Sequence, residues 1–433
     1  MCYAIPGKIT GFQDKKVIID YFGEKRYAHN DFVKVKAGDY IYAQGGFVIN
    51  VVPEKEAREI LEFWKETFFK LRKVDLRLSK LEGKGEASKK TRTILDAALE
   101  GRKIKFEEYL HLFSLEDEGD KEYLYKVANF IRQKYHKNAC CVHGIIEFSN
   151  NCANNCLYCG IRKDNIALPR YRMTEEEILD TVKRSIDIYG FKALVLQSGE
   201  DPEWDAGRIA KLIKKIRGEN AVLLFISVGE VGKAGLKKFY DAGARGVLIR
   251  FETSNETIYS KIHPGDSLSR RLEEIEEAKK LGFLVLTGGL VGFPGQSDED
   301  TVKDILEAVK LAPEMYTFGP FIPHPQTPFA GTKPPSLDKI LKTISLLRIA
   351  DPLGKIVSTT ALETLAPVEG RNRGFMAGAN SMMLNLTPDE HRKNYQIYPE
   401  RIHENVSVDV QVREAVSDLR KLGRAPTDLG AGV

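Results

Sequence analysis

From about residue 142 onward, short apolar runs alternate with stretches whose apolar residues recur at helical spacing. The strand-like runs cover residues 144–148, 192–197, 221–227, 246–251, 283–291 and 317–322; the helical patterns cover 174–189, 202–217, 229–242, 267–281, 298–311 and 336–350. Such alternation with short loops predicts a parallel sheet covered by helices. Because so many units follow one another, we predict an α/β fold with a closed or nearly closed (β/α)8 barrel of the TIM type.

Polar clusters follow several of these predicted strands. They are Gln197-Ser198-Gly199-Glu200, Arg250-Phe251-Glu252-Thr253 and Thr359-Thr360. Barrels of this type carry their chemistry at the carboxyl ends of the strands. We therefore expect the functional site to lie at that end of the barrel.

Residues 1–75 have a different pattern, with short β-rich runs at 16–22, 26–35 and 40–52 separated by turn residues. Strands this short and closely spaced predict a small, OB-like β-barrel. A helix is expected to open at Pro53, and its apolar stripe to pack on that barrel. The stripe consists of Ala57, Ile60, Leu61, Trp64, Phe68 and Leu71. We predict a charged linker over residues 76–91, followed by a helical extension and the large barrel over 92–433.

The composition is that of an ordinary globular protein. The 433 residues are 42% hydrophobic and 29% charged, with a formal net charge of +4. A charge so small for the length predicts no strong field for nucleic acid or membranes, and we expect neither as a partner. The sequence has no apolar run of about 18 residues. We therefore expect a cytoplasmic protein.

Five of the six cysteines fall between residues 140 and 159. Three of them, Cys152, Cys156 and Cys159, form a C-x3-C-x2-C motif after a predicted strand. Three thiolates on one loop can each bind one iron of a cubane cluster, which leaves the fourth iron open. The alternative is a zinc site, for which Cys140 or Cys141 would supply the fourth ligand.

Several segments of the large barrel resemble the radical SAM maturase of [FeFe]-hydrogenase, the HydE family. They are the cysteine loop and residues 144–150, 160–165, 171–174, 196–202, 291–296, 319–325 and 395–399, and the resemblance covers about 92–430. It implies a [4Fe–4S] cluster on Cys152, Cys156 and Cys159, with S-adenosylmethionine (SAM) as the second cofactor. Cleavage of SAM would then yield a 5′-deoxyadenosyl radical.

The resemblance also assigns residues to the two halves of the site. SAM contacts carry over to Tyr158, Gln197, Ser198, Ser227, Glu252 (for the amino group) and Arg271 (for the carboxylate). Substrate contacts carry over to Arg250 (for a carboxylate), Thr359, Thr360, Met383, Tyr395 and Tyr398. Phe251 stands where the family has a histidine, and Leu290 where it has a methionine. These two departures leave the identity of the substrate open.

The N-terminal region resembles the HypC chaperone family of [NiFe]-hydrogenase maturation. Residues 1–8, 38–40 and 46–48 carry this likeness, which covers about 1–75. In that family Met1 is removed, and the exposed Cys2 binds an iron that carries cyanide and carbonyl ligands. Gln44 occupies the place of a family histidine implicated in iron binding, so the resemblance supports the fold better than the carrier role of Cys2.

Three functional hypotheses follow. The first is a radical SAM maturase for a hydrogenase-type iron cofactor, with a small-molecule or organometallic substrate, an electron donor such as ferredoxin or flavodoxin, and hydrogenase maturation proteins as partners. The second keeps the radical chemistry on an amino-acid-like metabolite, as in the related biotin and methylornithine synthases. The third is a non-catalytic iron assembly scaffold.

Overall fold

The computed structural model describes residues 5–81, 87–427 and 429. Cys2 lies outside the described residues. The first strands are β1 (Gly7–Gln13), β2 (Lys16–Tyr21), β3 (Glu24–His29), β4 (Tyr40–Gln44) and β5 (Phe47–Val52). They close into a barrel in the order β1-β2-β3-β5-β4, here called the small barrel. The predicted small barrel is confirmed, although β1 was not among the predicted strands.

The helix α1 (Glu54–Leu78) follows the small barrel directly. Pro53 is the residue before its first turn rather than part of it. Trp64 is buried in one apolar cluster with Ile19 and Ile41 of the small barrel, and Ile60, Leu61 and Phe68 pack against the same cluster. The predicted stripe therefore covers the small barrel, as expected from its helical spacing.

A helical extension of α2 (Lys89–Leu99), α3 (Phe106–Phe113) and α4 (Glu118–His136) precedes the second barrel. Leu78 ends α1 and Lys89 begins α2, so both ends of the segment predicted as a linker are helical. The division of the chain into domains stays a prediction.

The large barrel has parallel strands that alternate with helices. Its strands are β6 (Ala139–Ser149), β7 (Ala193–Ser198), β8 (Leu223–Ser227), β9 (Gly246–Leu248), β10 (Leu284–Thr287), β12 (Met315–Tyr316), β14 (Lys355–Ile356) and β15 (Ser381–Asn385). The intervening and following helices are α5 (Glu175–Asp187), α6 (Ala206–Glu219), α7 (Gly232–Ala242), α8 (Glu256–Ile262), α9 (Leu268–Leu281), α10 (Asp298–Leu311), α11 (Leu337–Ala350), α12 (Thr360–Leu365), α13 (Gly370–Met376), α14 (Asp389–Arg392) and α15 (Val408–Lys421). A parallel bridge between Val357 and Ser381 joins the two outer strands, so the TIM-type barrel is confirmed.

Three short strands lie beside this barrel. The strands β11 (Leu290–Val291) and β13 (Gly319–Pro320) pair with each other, and β16 (Ala425–Pro426) pairs with β6. The predicted strands 283–291 and 317–322 are therefore wrong in extent, because the first region divides into β10 and β11 and the second contains only the two residues of β13. A Cβ on Gly288 would lie 2.7 Å from the carbonyl carbon of Thr317, and one on Gly289 would lie 2.4 Å from the Glu252 oxygen. This close approach of neighbouring backbones divides the first run.

The small barrel closes the amino-terminal end of the large one. Phe47 and Ile49 of β5 lie in one buried cluster with Ala193, Leu223 and Phe225, near the starts of β7 and β8. Gly45 has a φ of +55°, and a Cβ there would lie 2.6 Å from Leu284 Cδ1 and 2.9 Å from Leu223 Cδ2. The two barrels are thus in direct apolar contact.

Polar contacts fasten the same junction. Gln44 is buried, and its Nε2 donates to the Thr427 carbonyl over 2.7 Å. Near the end of α1, the buried Asp75 carboxylate accepts from Arg132 over 2.7 and 2.9 Å and lies 3.3 Å from Arg424. Among the described residues, no helix is both long enough and apolar enough to cross a bilayer.

Candidate active site

One cavity of about 320 Å³ opens at the carboxyl ends of the large-barrel strands. Glu147, Gln197, Ser198 and Ser227 reach it from the last residues of β6, β7 and β8. Every residue predicted for the site, apart from Cys2, lines this cavity: Cys152, Cys156, Cys159, Tyr158, Gln197, Ser198, Ser227, Glu252, Arg271, Arg250, Thr359, Thr360, Met383, Tyr395 and Tyr398. The structure thus brings together side chains that are far apart in the sequence. Their individual roles stay predictions.

The three cysteines lie on residues 150–160, here called the cluster loop, which leaves the end of β6. Arg170 holds the loop through backbone carbonyls: its guanidinium donates to the oxygens of Asn150, Ile161, Arg162 and Asn165 over 2.6–3.0 Å. Sequence reasoning did not identify Arg170, because nothing in its local pattern indicates these contacts.

Two glycines let other segments approach the cluster loop. A Cβ on Gly160 would lie 2.0 Å from the Gln396 carbonyl oxygen, and one on Gly199 would lie 2.3 Å from the Asn151 oxygen and 2.8 Å from Cys152 Cβ. Only glycine fits such close backbone contacts without a shift. The loop is therefore clamped between residues after β7 and the C-terminal segment.

The environment of the three thiols suits a metal. Among the described residues, Cys152, Cys156 and Cys159 form no disulfide. Burial and the neighbouring cysteines raise the pKa of Cys159 to about 12 and that of Cys156 still further. Thiolates in such a place require a compensating positive charge, and a metal cluster supplies one.

Cys140 and Cys141 cannot complete a zinc site with this loop. Both lie near the start of β6, where Cys140 is fully buried and Cys141 is 4% exposed. At about 3.3 Å per residue, the strand between Cys141 and Ser149 spans roughly 26 Å. The fourth ligand of the zinc alternative therefore does not come from them.

Arg250 and Glu252 offer polar atoms to the cavity. Arg250 Nη2 lies 3.1 Å from Glu252 Oε2, yet within the described part of the chain neither of these buried atoms makes an aligned hydrogen bond. Glu252 has a φ of +65°, a conformation that is uncommon outside glycine and that often marks functional positions. The Glu252 carboxylate can accept hydrogen bonds from the ammonium group of a zwitterionic ligand, and the Arg250 guanidinium can donate hydrogen bonds to its carboxylate.

Arg271, on α9, is held by an acid that sequence reasoning missed. Its Nε donates to Glu230 Oε1 over 2.6 Å, and its Nη1 lies 3.4 Å from the Arg250 carbonyl oxygen. Glu200, another lining residue, is buried enough for its pKa to be raised. The guanidinium is thus fixed in orientation beside the cavity.

Three tyrosine side chains also line the cavity. Burial raises the pKa values of Tyr158, Tyr395 and Tyr398, so all three stay neutral phenols at ordinary pH. The Gln197 side chain lies close enough to Tyr395 to act on the pKa of its hydroxyl, so a predicted SAM contact and a predicted substrate contact are neighbours. Thr359 also caps α12, since its Oγ1 accepts from the Leu362 amide over 3.3 Å.

The two departures from the family pattern occupy different places. Leu290 lines the cavity, so the departure predicted at this position bears directly on what the cavity holds. Phe251 is fully buried and packs against Phe318 at 6.2 Å between ring centroids. Position 251, where the resemblance predicts a departure, therefore belongs to the core behind the cavity.

Glu147 and Arg401 form a buried ion pair in the cavity wall that was not predicted. Arg401 donates through Nη2 to Glu147 Oε1 over 2.6 Å and through Nη1 to Oε2 over 3.1 Å. Asn385 adds a 2.8 Å bond to the same carboxylate, and the guanidinium stacks on Tyr395 and Tyr398, each at 5.6 Å. The sequence did offer one signal for this pair: Glu147 is the single charged residue in the apolar segment 144–148.

His263 is a further lining residue whose position was not anticipated. From sequence, His263-Pro264-Gly265 indicates a turn, and the histidines show no metal-ligand spacing. In the structure His263 is buried, with Nδ1 3.3 Å from Cys156 Sγ. Only the packing of α8 beside the cluster loop creates this contact.

Comparisons with known proteins agree with this architecture. Residues 146–308 match the model of the radical SAM superfamily, and residues 1–64 match that of the HupF/HypC family. The chain is 40% identical over 304 residues to the [FeFe] hydrogenase maturase subunit HydE of Thermotoga maritima, covering 70% of this chain and 86% of the relative. It is 30% identical over 333 residues to 3-methylornithine synthase of Methanosarcina barkeri, covering 76% and 93%.

Two solved structures have the same fold. A crystal structure of methylornithine synthase superposes with a TM-score of 0.68 at 27% identity, covering 77% of this chain and 97% of that one. The FeFe-hydrogenase maturase HydG from Carboxydothermus hydrogenoformans superposes with a TM-score of 0.67 at 20% identity, covering 86% and 85%. The HydG likeness concerns the fold alone.

Proposed function

Because this chain belongs to the radical SAM superfamily and, within it, to the HydE family, we propose that it cleaves SAM reductively and acts in the assembly of a hydrogenase-type iron cofactor. The observation that carries this proposal is the convergence of three thiols with the polar residues carried over from that family in one cavity. Enzymes of this superfamily use a [4Fe–4S] cluster and SAM.

The residues of the cavity fit both cofactors. Cys152, Cys156 and Cys159 would hold the cluster through three irons. When bound, the cluster and SAM together supply one-electron cleavage of a carbon–sulfur bond, which gives methionine and a 5′-deoxyadenosyl radical. Glu252 would accept from the SAM amino group, and Arg271, oriented by Glu230, would donate to its carboxylate.

The remaining residues would orient and shield the ligands. Gln197, Ser198, Ser227 and the cluster-loop residue Tyr158, all of which line the cavity, would form the SAM side. Arg250, Thr359, Thr360, Met383, Tyr395 and Tyr398 would form the substrate side. The raised pKa values of the tyrosines support a role as neutral hydrogen-bond donors there.

The small barrel would serve as a carrier of an iron fragment or as a docking domain. The match of residues 1–64 to the HupF/HypC family supports this role. Gln44 is fully buried, which argues that it does not act in place of the family histidine as an iron ligand. Cys2 would then act without that partner.

The proposal includes the setting in which the protein works. A ferredoxin or flavodoxin would supply the electron, other hydrogenase maturation proteins would be the partners, and the location would be cytoplasmic. A reducing compartment suits the three cluster thiols, because thiols stay unpaired there.

A second candidate function is radical chemistry on an amino-acid-like metabolite. The likeness to 3-methylornithine synthase over 93% of that relative favours it, as does Arg250, whose guanidinium suits a substrate carboxylate. The chain's place among radical SAM enzymes argues against the non-catalytic scaffold.

The test begins with anaerobically reconstituted protein, SAM and dithionite. We expect 5′-deoxyadenosine and methionine in equal amounts, and none from Cys156→Ala. Cys140→Ala is the matched control, since Cys140 lies at the other end of β6 and should retain cleavage. Absence of 5′-deoxyadenosine from the wild type under strongly reducing conditions would refute the proposal.

The biological role needs a separate experiment. In the source organism, deletion of the gene should abolish hydrogenase activity, and a plasmid copy should restore it. Normal hydrogenase activity together with a new amino-acid requirement would instead establish the second candidate.

A further inference from the structure

His263 lies immediately after α8, at the edge of the cluster loop. It is 2% exposed, and its ring stacks on Tyr259 at 4.5 Å between centroids with an interplanar angle of 15°. The Leu157 amide donates to the Ile262 carbonyl over 2.9 Å, which fastens the end of α8 to the loop between its second and third cysteines. The imidazole is thus fixed beside the loop by stacking and by backbone contact.

Both ring nitrogens face residues of the cluster loop. His263 Nδ1 lies 3.3 Å from Cys156 Sγ, and Nε2 lies 3.3 Å from the Tyr158 hydroxyl. The Asp266 carboxylate is a more distant neighbour of Nδ1, at 3.8 Å. The side chain therefore joins one predicted cluster ligand to one predicted SAM contact.

These contacts select a tautomer. The Tyr158 hydroxyl, 3.3 Å from Nε2, is a phenol and can donate its hydrogen to that nitrogen. Donation to Nε2 makes that nitrogen an acceptor, which leaves the ring proton on Nδ1. The two atoms that Nδ1 faces, Cys156 Sγ and an Asp266 oxygen, are both acceptors, which agrees with this assignment.

We propose that His263 is a positioning residue which donates its Nδ1 hydrogen to the cluster-bound sulfur of Cys156 and raises the reduction potential of the cluster, with Tyr158 fixing its tautomer. The proposal deepens the proposed function and rests on it, because it requires the [4Fe–4S] cluster. The reason is electrostatic: reduction adds negative charge to the cluster and its thiolates, and a donor aimed at a thiolate stabilises that charge.

Direct ligation of metal by His263 is the competing reading of the same contact. Cys156, His263 and Asp266 do place three ligand atoms within 4.8 Å of one another. A cubane iron bound by the Cys156 sulfur and three sulfides has its four ligands, however. The imidazole is therefore assigned to the sulfur.

The test is a redox titration monitored by electron paramagnetic resonance (EPR) on the reconstituted full-length protein. His263→Phe keeps an aromatic ring for stacking but removes both nitrogens. We expect its cluster to have a lower midpoint potential than the wild type. Tyr158→Phe removes the hydroxyl that keeps the His263 ring proton on Nδ1. Its midpoint potential should shift in the same direction by a smaller amount.

His391→Phe is the matched control. His391 also stacks on a tyrosine, Tyr171, at 4.8 Å and 20°. It lines no part of the cavity in the described structure. The midpoint potential of the cluster in His391→Phe should equal that of the wild type.

A second variant covers the case in which His263→Phe fails to assemble a cluster. His263→Gln retains an N–H donor, and we expect its midpoint potential to lie nearer to the wild-type value. Wild-type protein exchanged into D2O should also lose a proton coupling to the reduced cluster, and this coupling should be absent from His263→Phe if Nδ1 carries it.

The outcomes separate this inference from the proposed function. An unchanged potential in His263→Phe, with normal cluster content and SAM cleavage, would overturn the inference alone. Strong nitrogen hyperfine coupling from His263 would also overturn it, because it would indicate direct ligation. A wild-type protein that binds no [4Fe–4S] cluster would overturn the proposed function itself.

Discussion

At the residue scale, buried polar side chains of the cavity wall hold one another in fixed orientations. Arg401 is paired with Glu147 through two hydrogen bonds, and Arg271 is paired with Glu230 through one. Burying a charge is costly unless a partner compensates it. The guanidinium groups beside the cavity are thus ordered before any ligand arrives.

Removal of the Glu147 charge tests whether the buried Arg401 requires its partner. Glu147→Gln leaves Arg401 as an uncompensated buried charge, and we expect the free energy of unfolding to fall by roughly 3 kcal/mol. Urea denaturation followed by circular dichroism measures the loss. Substrate affinity should also fall, since Arg401 stacks on Tyr395 and Tyr398.

Asp241→Asn is the control for that loss. Asp241 pairs with Lys237 over 2.7 Å, but both side chains are more than half exposed. Its removal should cost less than about 1 kcal/mol. Equal losses for the two variants would contradict the structural role of the Glu147–Arg401 pair.

At the scale of elements, the strands place the segments that follow them, and these segments carry side chains that line the cavity. The segment after β9 carries Glu252, and helix α10 fixes that segment through Asp304. The Asp304 Oδ1 atom accepts from the Ser254 amide over 2.5 Å and from the Ser254 hydroxyl over 2.6 Å, while Gln296 Nε2 donates to Oδ2 over 2.9 Å. One buried carboxyl thus joins two βα units.

This carboxyl predicts a pH-dependent stability. Burial raises the pKa of Asp304 to about 6, against about 3.9 in an unfolded chain. Between pH 4 and pH 6 the native state therefore holds more protons than the unfolded state, so the contribution of Asp304 to stability is fully present below about pH 4 and declines as the pH rises. The difference in unfolding free energy between wild type and Asp304→Asn should fall by on the order of 2–3 kcal/mol across this window.

Urea denaturation at half-unit pH steps measures this difference. Asp298→Asn, an exposed carboxylate in the first turn of the same helix, is the matched control. A wild-type minus Asp304→Asn difference that stays constant from pH 4 to pH 7 would contradict the expected titration.

At the scale of the whole molecule, the two barrels share one apolar interface. Phe47 and Ile49 from the small barrel complete the packing at the amino-terminal end of the large one. The interface and the cavity lie at opposite ends of the large barrel. The small barrel therefore supports the scaffold of the site without covering its opening.

The shared interface predicts coupled unfolding. The sequence has two tryptophans, of which Trp64 packs on the small barrel and Trp204 contacts Phe148 of the large barrel at 5.1 Å. In urea, fluorescence of the variants Trp204→Phe and Trp64→Phe should report coincident transitions for the two barrels. Adding Phe47→Asp should separate them, because it places a charge in the interface.

Phe12→Asp is the control for the Phe47 substitution. Phe12 belongs to the same small barrel but is 53% exposed. The transitions should stay coincident in this variant. Separate transitions in the proteins that retain Phe47 would show that the interface does not couple the barrels.

Much of the fold was predictable from local pattern. The capping box at Thr174 and Glu177 begins α5 as expected, and the predicted helices at 298–311 and 336–350 agree with α10 and α11 within one residue. Helical periodicity persists over many residues and is therefore easy to detect. The strands were less predictable, because β12 and β14 are each two residues long and their pairing is set by neighbours.

The cavity was predictable in its membership but not in its internal contacts. A family motif identifies residues such as Tyr395 because it retains their spacing in sequence. It does not identify His263, Arg170 or Arg401, whose roles depend on distances between segments more than 100 residues apart or on backbone atoms. Such contacts leave no periodic trace in the chain.

The sequence by itself determined the barrel class and the three-cysteine motif, because these depend on local spacing and on residue type. Only the tertiary structure decided that the small barrel closes the amino-terminal end, that Gln44 is engaged with Thr427, and that His263 faces Cys156. These features arise where separate elements meet. Their energies depend on burial and distance in space, and neither quantity is encoded at a single position of the chain.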